Sequence, residues 1–194
     1  MSSAFGEEEY HGKTFEKLAL VEESARGIIF DRCVFRGCEF SSCDFSGSEF
    51  SECRFEQCSF SLTKFLNCAL KSVTFRNSKL VGIDLTKCSG KFLRLEFFDS
   101  LIELCNFSTL PMMRTLFETC TIRDCTFGGT DLTKALFMRC DLAGTIFHGT
   151  KLLGTDFTTS RNYAINPVGN AIKGARFSLP EAVSLLRAFD IKLE

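Results

Sequence analysis

Large apolar residues recur at every fifth position between residues 28 and 87. The centre of each quintet is Phe or Leu, the residue two positions earlier is small or apolar and most often Cys, and the other three positions are mostly polar. The same pattern is regular again from 115 to 159. We predict that the core stack contains these phenylalanine centres: Phe30, Phe35, Phe40, Phe45, Phe50, Phe55, Phe60, Phe65, Phe107, Phe117, Phe127, Phe137, Phe147 and Phe157.

A period of five residues matches neither of the common regular structures. A helix repeats about every 3.6 residues and a strand about every 2, so either one would expose part of this set of phenylalanines to water. A coil with four sides of one quintet each would turn one large and one small side chain inward on every side. Successive coils would pair as short parallel strands about 4.8 Å apart. The pattern therefore predicts an all-β solenoid of roughly seven coils, about 34 Å long.

Breaks in the period divide the chain into segments. After Leu85 the next large apolar residue that restores the pattern is Phe92, which indicates a two-residue insertion with a bulge at 86–91 and makes Phe92 an expected inward centre. Residues 1–9 are expected to be frayed. The predicted segments are an N-terminal tail with an irregular capping coil (1–27), a regular repeat block (28–87), an irregular coil or bulge (88–114), a second regular block (115–159) and a C-terminal capping and dimerisation tail (160–194).

The tail predicts a short α-helix over about 179–189. Ser178 is the expected N-cap, and Glu181 three residues later would complete a capping box. Part of the apolar face of this helix can cover the end of the rod, while the rest, with a possible strand at 191–193, could pair with a second copy. The predicted dimerisation residues are Val183, Leu185, Leu186, Phe189 and Ile191.

Composition narrows the classes of function. The formal net charge of −1 argues against a polybasic protein that binds nucleic acid directly. The histidines, His11 and His148, have no evident catalytic partners, so neither an enzyme nor a cofactor is expected. An apolar N-terminal signal is not visible, nor is an apolar run long enough to span a membrane, so we expect a cytoplasmic protein.

Most of the 11 cysteines occupy the small inward position of the repeat. Their spacing does not match an ordinary zinc site, and no pair of histidines accompanies them. We favour the interpretation that these thiols are small buried side chains in a reducing compartment, and we expect no bound metal. Metal or disulfide chemistry is the alternative.

Outward apolar residues concentrate at 98–116 and 136–153. They include Phe98, Leu116, Leu136 and Met138. They either pack against the irregular coil or beneath a loop, or they form a patch that binds a partner, and the pattern favours neither alternative. The N-terminal block is mildly acidic, which we interpret as ordinary solubility.

In tandem, these quintets resemble the pentapeptide-repeat proteins. The resemblance implies a right-handed quadrilateral parallel β-helix, with the aromatic centres stacked in a solid core and a short α-helix at the C-terminus. It extends over nearly the whole chain from about Tyr10.

The tail narrows the resemblance to one branch. The run Asn162-Tyr163, the stretch 170–182, the pair Leu185-Leu186 and the final Asp190-Ile191 resemble the tail of the topoisomerase-protecting proteins. This branch includes the Qnr, MfpA, AlbG and McbG types, of which AlbG is the nearest. The resemblance implies a DNA-mimicking homodimer, joined tail to tail, that binds DNA gyrase or topoisomerase IV. It would protect the topoisomerase from quinolone- or albicidin-type inhibitors, as an antibiotic-resistance protein without direct nucleic-acid binding.

Two departures from this branch affect the choice of contact residues. Qnr proteins have long projecting loops, whereas this chain has only the short insertion, and MfpA-type proteins are strongly acidic, whereas this chain is not. A cytoplasmic structural or interaction scaffold with a different protein partner is therefore the alternative function. The candidate partner-binding residues are Lys87, Lys91, Phe98, Asp99, Leu116, Leu136 and Met138.

Overall fold

Short parallel strands stack into the sides of a four-sided coil. The structure is a computed structural model that describes residues 5–191. Strands twenty residues apart pair in register, as Phe30 does with Phe50 and Phe35 with Phe55. The predicted all-β solenoid is confirmed, and the described chain winds through about eight turns.

The strands fall on four faces. The first face contains β1 (Glu9–His11), β4 (Ile29–Asp31), β7 (Glu49–Ser51) and β10 (Ala69–Lys71). The second face contains β2 (Thr14–Glu16), β5 (Val34–Arg36), β8 (Arg54–Glu56), β11 (Val73–Arg76), β13 (Leu95–Phe98), β15 (Leu116–Glu118) and β17 (Leu136–Met138). The third face contains β3 (Ala19–Val21), β6 (Glu39–Ser41), β9 (Ser59–Ser61), β12 (Lys79–Val81), β14 (Leu101–Glu103) and β16 (Thr121–Arg123). The fourth face is formed mainly by isolated bridges and ends with the pair β18 (Ile146–Phe147) and β19 (Ala164–Ile165).

Phenylalanine rings fill the interior of the coil. All fourteen phenylalanines predicted for the core are at most 4% exposed. On the second face the rings form an unbroken ladder. Each ring stacks on the ring of the next coil, and the ring centroids are 4.7 to 5.4 Å apart. This ladder contains Phe15, Phe35, Phe55, Phe75, Phe97, Phe117, Phe137, Phe157 and Phe177. The coil spacing of parallel strands is also a good distance for ring stacking, which explains the preference for one aromatic residue type.

The small inward position is a hydrogen-bond donor position. The Thr150 hydroxyl donates to the carbonyl of Phe127 at 2.7 Å, and the Ser160 hydroxyl donates to that of Phe137 at 2.8 Å. The Cys53 thiol makes the equivalent, longer contact at 3.3 Å. Each donor reaches back 23 residues to the preceding coil. Cys, Ser and Thr therefore share this position because each combines a small volume with a donor.

The N-terminal coil is regular and closed by an aromatic ring. The strands of 9–21 pair in register with the next coil, although an irregular coil was expected. Phe5 is only 5% exposed, and its ring centroid lies 5.5 Å from that of Phe15 and 5.2 Å from that of Phe30. The prediction of frayed residues is therefore wrong from Phe5 onward, because its ring covers the open end of the core. Residues 1–4 lie outside the described chain.

The two extra residues lie slightly later than predicted. Ser89 still pairs with Ala69, twenty residues earlier, whereas Leu95 pairs with Val73, twenty-two residues earlier. The displaced backbone is therefore confined to 90–94.

The coil resumes its regular path immediately after the insertion. Leu95 and Phe97 are buried and continue the second face, so the irregular segment is shorter than the predicted 88–114. Phe92 is 72% exposed, and its predicted inward position is wrong. Leu93 packs against the core instead, because the insertion rotates Phe92 to the outside of the corner.

The coil also continues further into the tail than the sequence suggests. Phe177 stacks on Phe157 at 5.4 Å, and Ala171 pairs with Lys151. The repeat was expected to stop after Thr159, which gave about seven coils. The tail adds the remaining coil, since backbone pairing persists after the quintet pattern has faded.

The C-terminal helix is a 3₁₀ helix over Glu181–Phe189, not an α-helix. The predicted capping box is wrong, because its two side chains have other partners. The Ser178 hydroxyl donates to the carbonyl of Thr158, and the Glu181 carboxylate accepts from the backbone N–H of Asn162 at 3.0 Å. Both side chains therefore tie the helix to the last coil instead of capping it.

Candidate interaction surfaces

Two leucines on successive coils form an apolar row on the second face. Leu116 pairs in register with Leu136, which is 40% exposed, while Leu116 is half-buried. Met138 lies outward on the same strand as Leu136 and is also half-buried. We call Leu116, Leu136 and Met138 the second-face patch. The structure brings these three predicted contact residues together.

Phe98 and Asp99 do not extend this patch. Phe98 is in register with Glu118, which is in register with Met138, so a carboxylate separates the two apolar side chains. The Arg76 guanidinium lies 4.3 Å from the centroid of the Phe98 ring and 3.9 Å from the carboxylate of Asp99. This cation–π contact covers the ring and joins Phe98 to its charged neighbours.

Charges alternate in sign along the first coils of the second face, from Glu16 through Arg36 and Glu56 to Arg76. The Arg36 side chain donates to the Glu56 carboxylate at 2.9 Å and lies 3.8 Å from Glu16 on the other side. Arg139, just after the end of β17, pairs with Glu118 on the preceding coil. Exposed pairs of this kind contribute little to stability, about 0–1 kcal/mol each. They neutralise the carboxylates, so this face does not present a continuous row of negative charge.

The two predicted lysines lie apart from the second-face patch. Lys87 lines a groove of about 430 Å³ together with Leu62 and Leu66 on the fourth face. Lys91 lies on the insertion, and its Nζ atom is 5.5 Å from the centroid of the Phe92 ring. The exposed Phe92 was missed as a surface residue because the five-residue pattern assigned it to the core.

The C-terminal helix leaves an apolar side uncovered. Leu185 packs against the core and Leu186 is half-buried, whereas Val183, Phe189 and Ile191 are 40%, 54% and 52% exposed. A groove of about 300 Å³ runs beside the helix. Of the predicted dimerisation residues, Leu185 attaches the helix to the rod, whereas Val183, Phe189 and Ile191 are exposed. The rest of the predicted final strand, beyond Ile191, lies outside the described residues.

The thiols lie in the core of the coil. All 11 cysteines are free and buried. Burial raises the pKa of Cys53 to about 12 and that of Cys88 to about 12, which disfavours the nucleophilic thiolate. Among residues 5–191, His, Cys, Asp and Glu side chains form no group of three or more that could hold a metal ion.

Asp141 organises a polar cluster near the C-terminal end of the rod. Its side chain is 9% exposed and accepts a hydrogen bond from the Asn162 amide at 2.8 Å, with Arg123 and Arg161 each at 3.4 Å. Burial by itself would raise the pKa of Asp141, but the hydrogen bonds from Asn162 and the Ala143 backbone, together with the two arginines, lower it below its ordinary value. The cluster links Asn162 to the preceding coil, and the backbone N–H of Asn162 in turn bonds to Glu181 of the C-terminal helix.

Replacing Asp141 with asparagine is expected to lower the free energy of unfolding at pH 7 by about 2 kcal/mol, because hydrogen bonds to a charged group are lost. A lowered folded-state pKa stabilises the protein above the unfolded pKa of about 3.9, and this contribution is lost as the pH falls through the folded pKa. The difference between the proteins should therefore shrink below about pH 4 in urea titrations. The exposed Asp124→Asn serves as the control, and a pH-independent difference would contradict the electrostatic role.

Two known families match parts of the chain. The family described as pentapeptide repeat region matches residues 28–97. A second family, the SV2A/B/C luminal domain, matches residues 88–147. The two matches overlap at the insertion, and neither indicates an enzymatic family.

Solved structures share the fold of this solenoid. Two trypsin-treated variants of QnrB1, a plasmid-mediated fluoroquinolone resistance protein, are similar to it. One has 20% identity and a TM-score of 0.51 over 93% of this chain and 100% of that chain. The other has 17% identity and a TM-score of 0.53 over 100% and 95%. A search of curated proteins finds no match. Among the described residues, no helix is long and apolar enough to cross a membrane.

Proposed function

We propose that this pentapeptide-repeat protein is a non-enzymatic, cytoplasmic rod that binds DNA gyrase or topoisomerase IV and protects it from inhibitors. The proposal follows the resemblance of the tail to the topoisomerase-protecting branch, and in particular to its AlbG type. The observation that supports it most directly is the combination of an unbroken rod with an apolar helix at one end.

The dimensions of the rod suit a duplex-binding surface. Nine stacked rings at the strand spacing correspond to a rod of roughly 38 Å. Two rods joined through Val183, Phe189 and Ile191 would extend over roughly 77 Å, which corresponds to about 23 base pairs of B-DNA. A dimer of this length can occupy the site of a DNA segment on the topoisomerase without being cleaved.

Charge pairing limits the form that DNA mimicry can take. The carboxylates of the second face lie beside arginines, so this face does not resemble a row of phosphates. We therefore assign the second-face patch to shape-based contact with the topoisomerase, in which Leu136 is the most exposed apolar side chain.

The test is a gyrase supercoiling assay with the purified full chain. A fluoroquinolone is the first inhibitor, since the fold is shared with QnrB1, and albicidin is the second. Recovery of supercoiling in the presence of either inhibitor is expected. Leu136→Glu should reduce the recovery, whereas Leu153→Glu, at a similarly exposed position on the first face, should not. No effect of the wild-type protein at stoichiometric excess would contradict the proposal.

The paired charges of the second face also favour one alternative. An apolar patch among neutralised charges is suited to an ordinary protein surface, which agrees with an interaction scaffold. A scaffold would leave gyrase unaffected in the same assay, with and without inhibitor, and this outcome separates the two functions.

A further inference from the structure

Phe92 combines an exposed side chain with a backbone conformation that is unfavourable for phenylalanine. The residue is 72% exposed, and its φ of +62° lies in the left-handed region. This corner position is left-handed in many quintets, but among the described residues Phe92 is the only aromatic one with a positive φ. The left-handed region is unfavourable for L residues, most of all for bulky ones. Neither burial nor backbone preference therefore explains a phenylalanine here.

Two cationic residues, Lys91 and Arg94, flank the ring in the chain at this corner of the coil. The Lys91 ammonium is 5.5 Å from its centroid. Among the ion pairs of residues 5–191 Lys91 has no carboxylate partner, and the 72%-exposed Arg94 meets Glu96 at 3.5 Å. Within the described chain the Phe92 ring packs on no other aromatic ring, whereas the core rings stack in ladders. We call Lys91, Phe92 and Arg94 the corner knob.

We propose that the corner knob docks onto an acidic amphipathic helix of a partner protein. A single projecting ring fits the hole between apolar side chains that are one turn apart on a helix. The flanking cations would meet the glutamates beside that hole, which supplies orientation and a faster association rate. The site goes beyond the proposed function, because it applies whether the partner is a topoisomerase or another protein.

The shape of the knob favours a protein over single-stranded nucleic acid. Single-stranded nucleic acid is bound in basic grooves where successive bases stack on several aromatic side chains. The corner knob offers one ring at a corner of the coil, and among the described residues no second aromatic ring packs beside it. The geometry therefore matches an anchor that enters a partner and not a platform that a strand crosses.

The test uses a labelled synthetic helix with leucines one turn apart and glutamates beside them, followed by fluorescence anisotropy. The wild-type chain should bind this peptide, with weaker binding at high salt and to the same peptide with glutamine in place of glutamate. Phe92→Gly should bind at least about tenfold more weakly, as expected for a buried aromatic anchor. Its thermal stability should be unchanged or higher, because glycine adopts a positive φ without strain.

Leu104→Gly is the matched control. Leu104 is 63% exposed at the same quintet position, with a φ of +55°, but on the third face beside Glu103. It should bind the acidic peptide as the wild type does. The proposal is overturned if the wild type does not bind the acidic peptide, or if Phe92→Gly binds it equally well. It is also overturned if Phe92→Gly abolishes binding of a single-stranded DNA oligonucleotide but leaves binding of the peptide unchanged.

Discussion

Replacing Phe117 with alanine is expected to lower the free energy of unfolding by about 3–5 kcal/mol, the range for a buried phenylalanine in a packed core. The Phe117 side chain is fully buried, and its ring stacks at 4.9 Å on Phe97 and at 4.7 Å on Phe137. Its removal leaves a cavity in the middle of the ladder that the neighbouring coils cannot close, since backbone hydrogen bonds fix the coil spacing. Guanidinium titration of the two proteins measures the difference.

Phe92→Ala is the appropriate control for this variant. It removes the same atoms from a side chain that is 72% exposed, so the free energy of unfolding should change by less than about 0.5 kcal/mol. If Phe117→Ala were as mild as this control, the expected contribution of the stacked rings to stability would be wrong.

Placing charge on the helix is expected to separate a dimer into monomers. The double variant Val183→Asp with Phe189→Asp alters side chains that are 40% and 54% exposed, so the fold of each rod should be retained. Unpaired carboxylates buried in an apolar interface should weaken association about 30-fold or more, as for loss of a hot spot. Light scattering should detect a fall from twice the chain mass to the single-chain mass of 21.7 kDa.

The control for the dimer is a change at the opposite end of the rod. Val21→Asp alters a side chain that is 67% exposed on the first coil, far from the helix, and should leave the mass unchanged. A point variant is preferable to truncation at Gly174, because truncation would also remove Phe177 and its stacking on Phe157. A wild-type chain that is monomeric at high concentration would contradict the tail-to-tail interface.

Errors in the sequence-based predictions occurred where side chains had more than one possible partner. Ser178 and Glu181 match a capping box, yet both bond to the preceding coil, which lies close only in the folded rod. Phe92 is an outward corner residue when the quintets are counted forward from Leu85, but an inward centre when they are counted back from Phe97. Local sequence could not choose, since the choice depends on which neighbour, Leu93 or Phe92, reaches the core once the coil closes.

The candidate surfaces were predictable in part. Leu116, Leu136 and Met138 were identified as outward residues, and register places them together. The same reasoning grouped Phe98 with Lys87 and Lys91, although they lie on different faces. Sequence distance suggested this grouping, but in a four-sided coil residues five positions apart face different directions, whereas residues twenty apart are neighbours.

The solenoid, its four-sided coil and the phenylalanine core follow from the sequence pattern. They do so because a repeated local pattern imposes the same turn on every quintet, and the identity of the inward residue is set within five positions. Tertiary structure alone decided the donor role of the small inward residues, the closure of the N-terminal end by Phe5, the outward turn of Phe92 and the attachment of the C-terminal helix. Each of these depends on contacts between coils, where the partner lies about twenty residues away and appears in no local pattern.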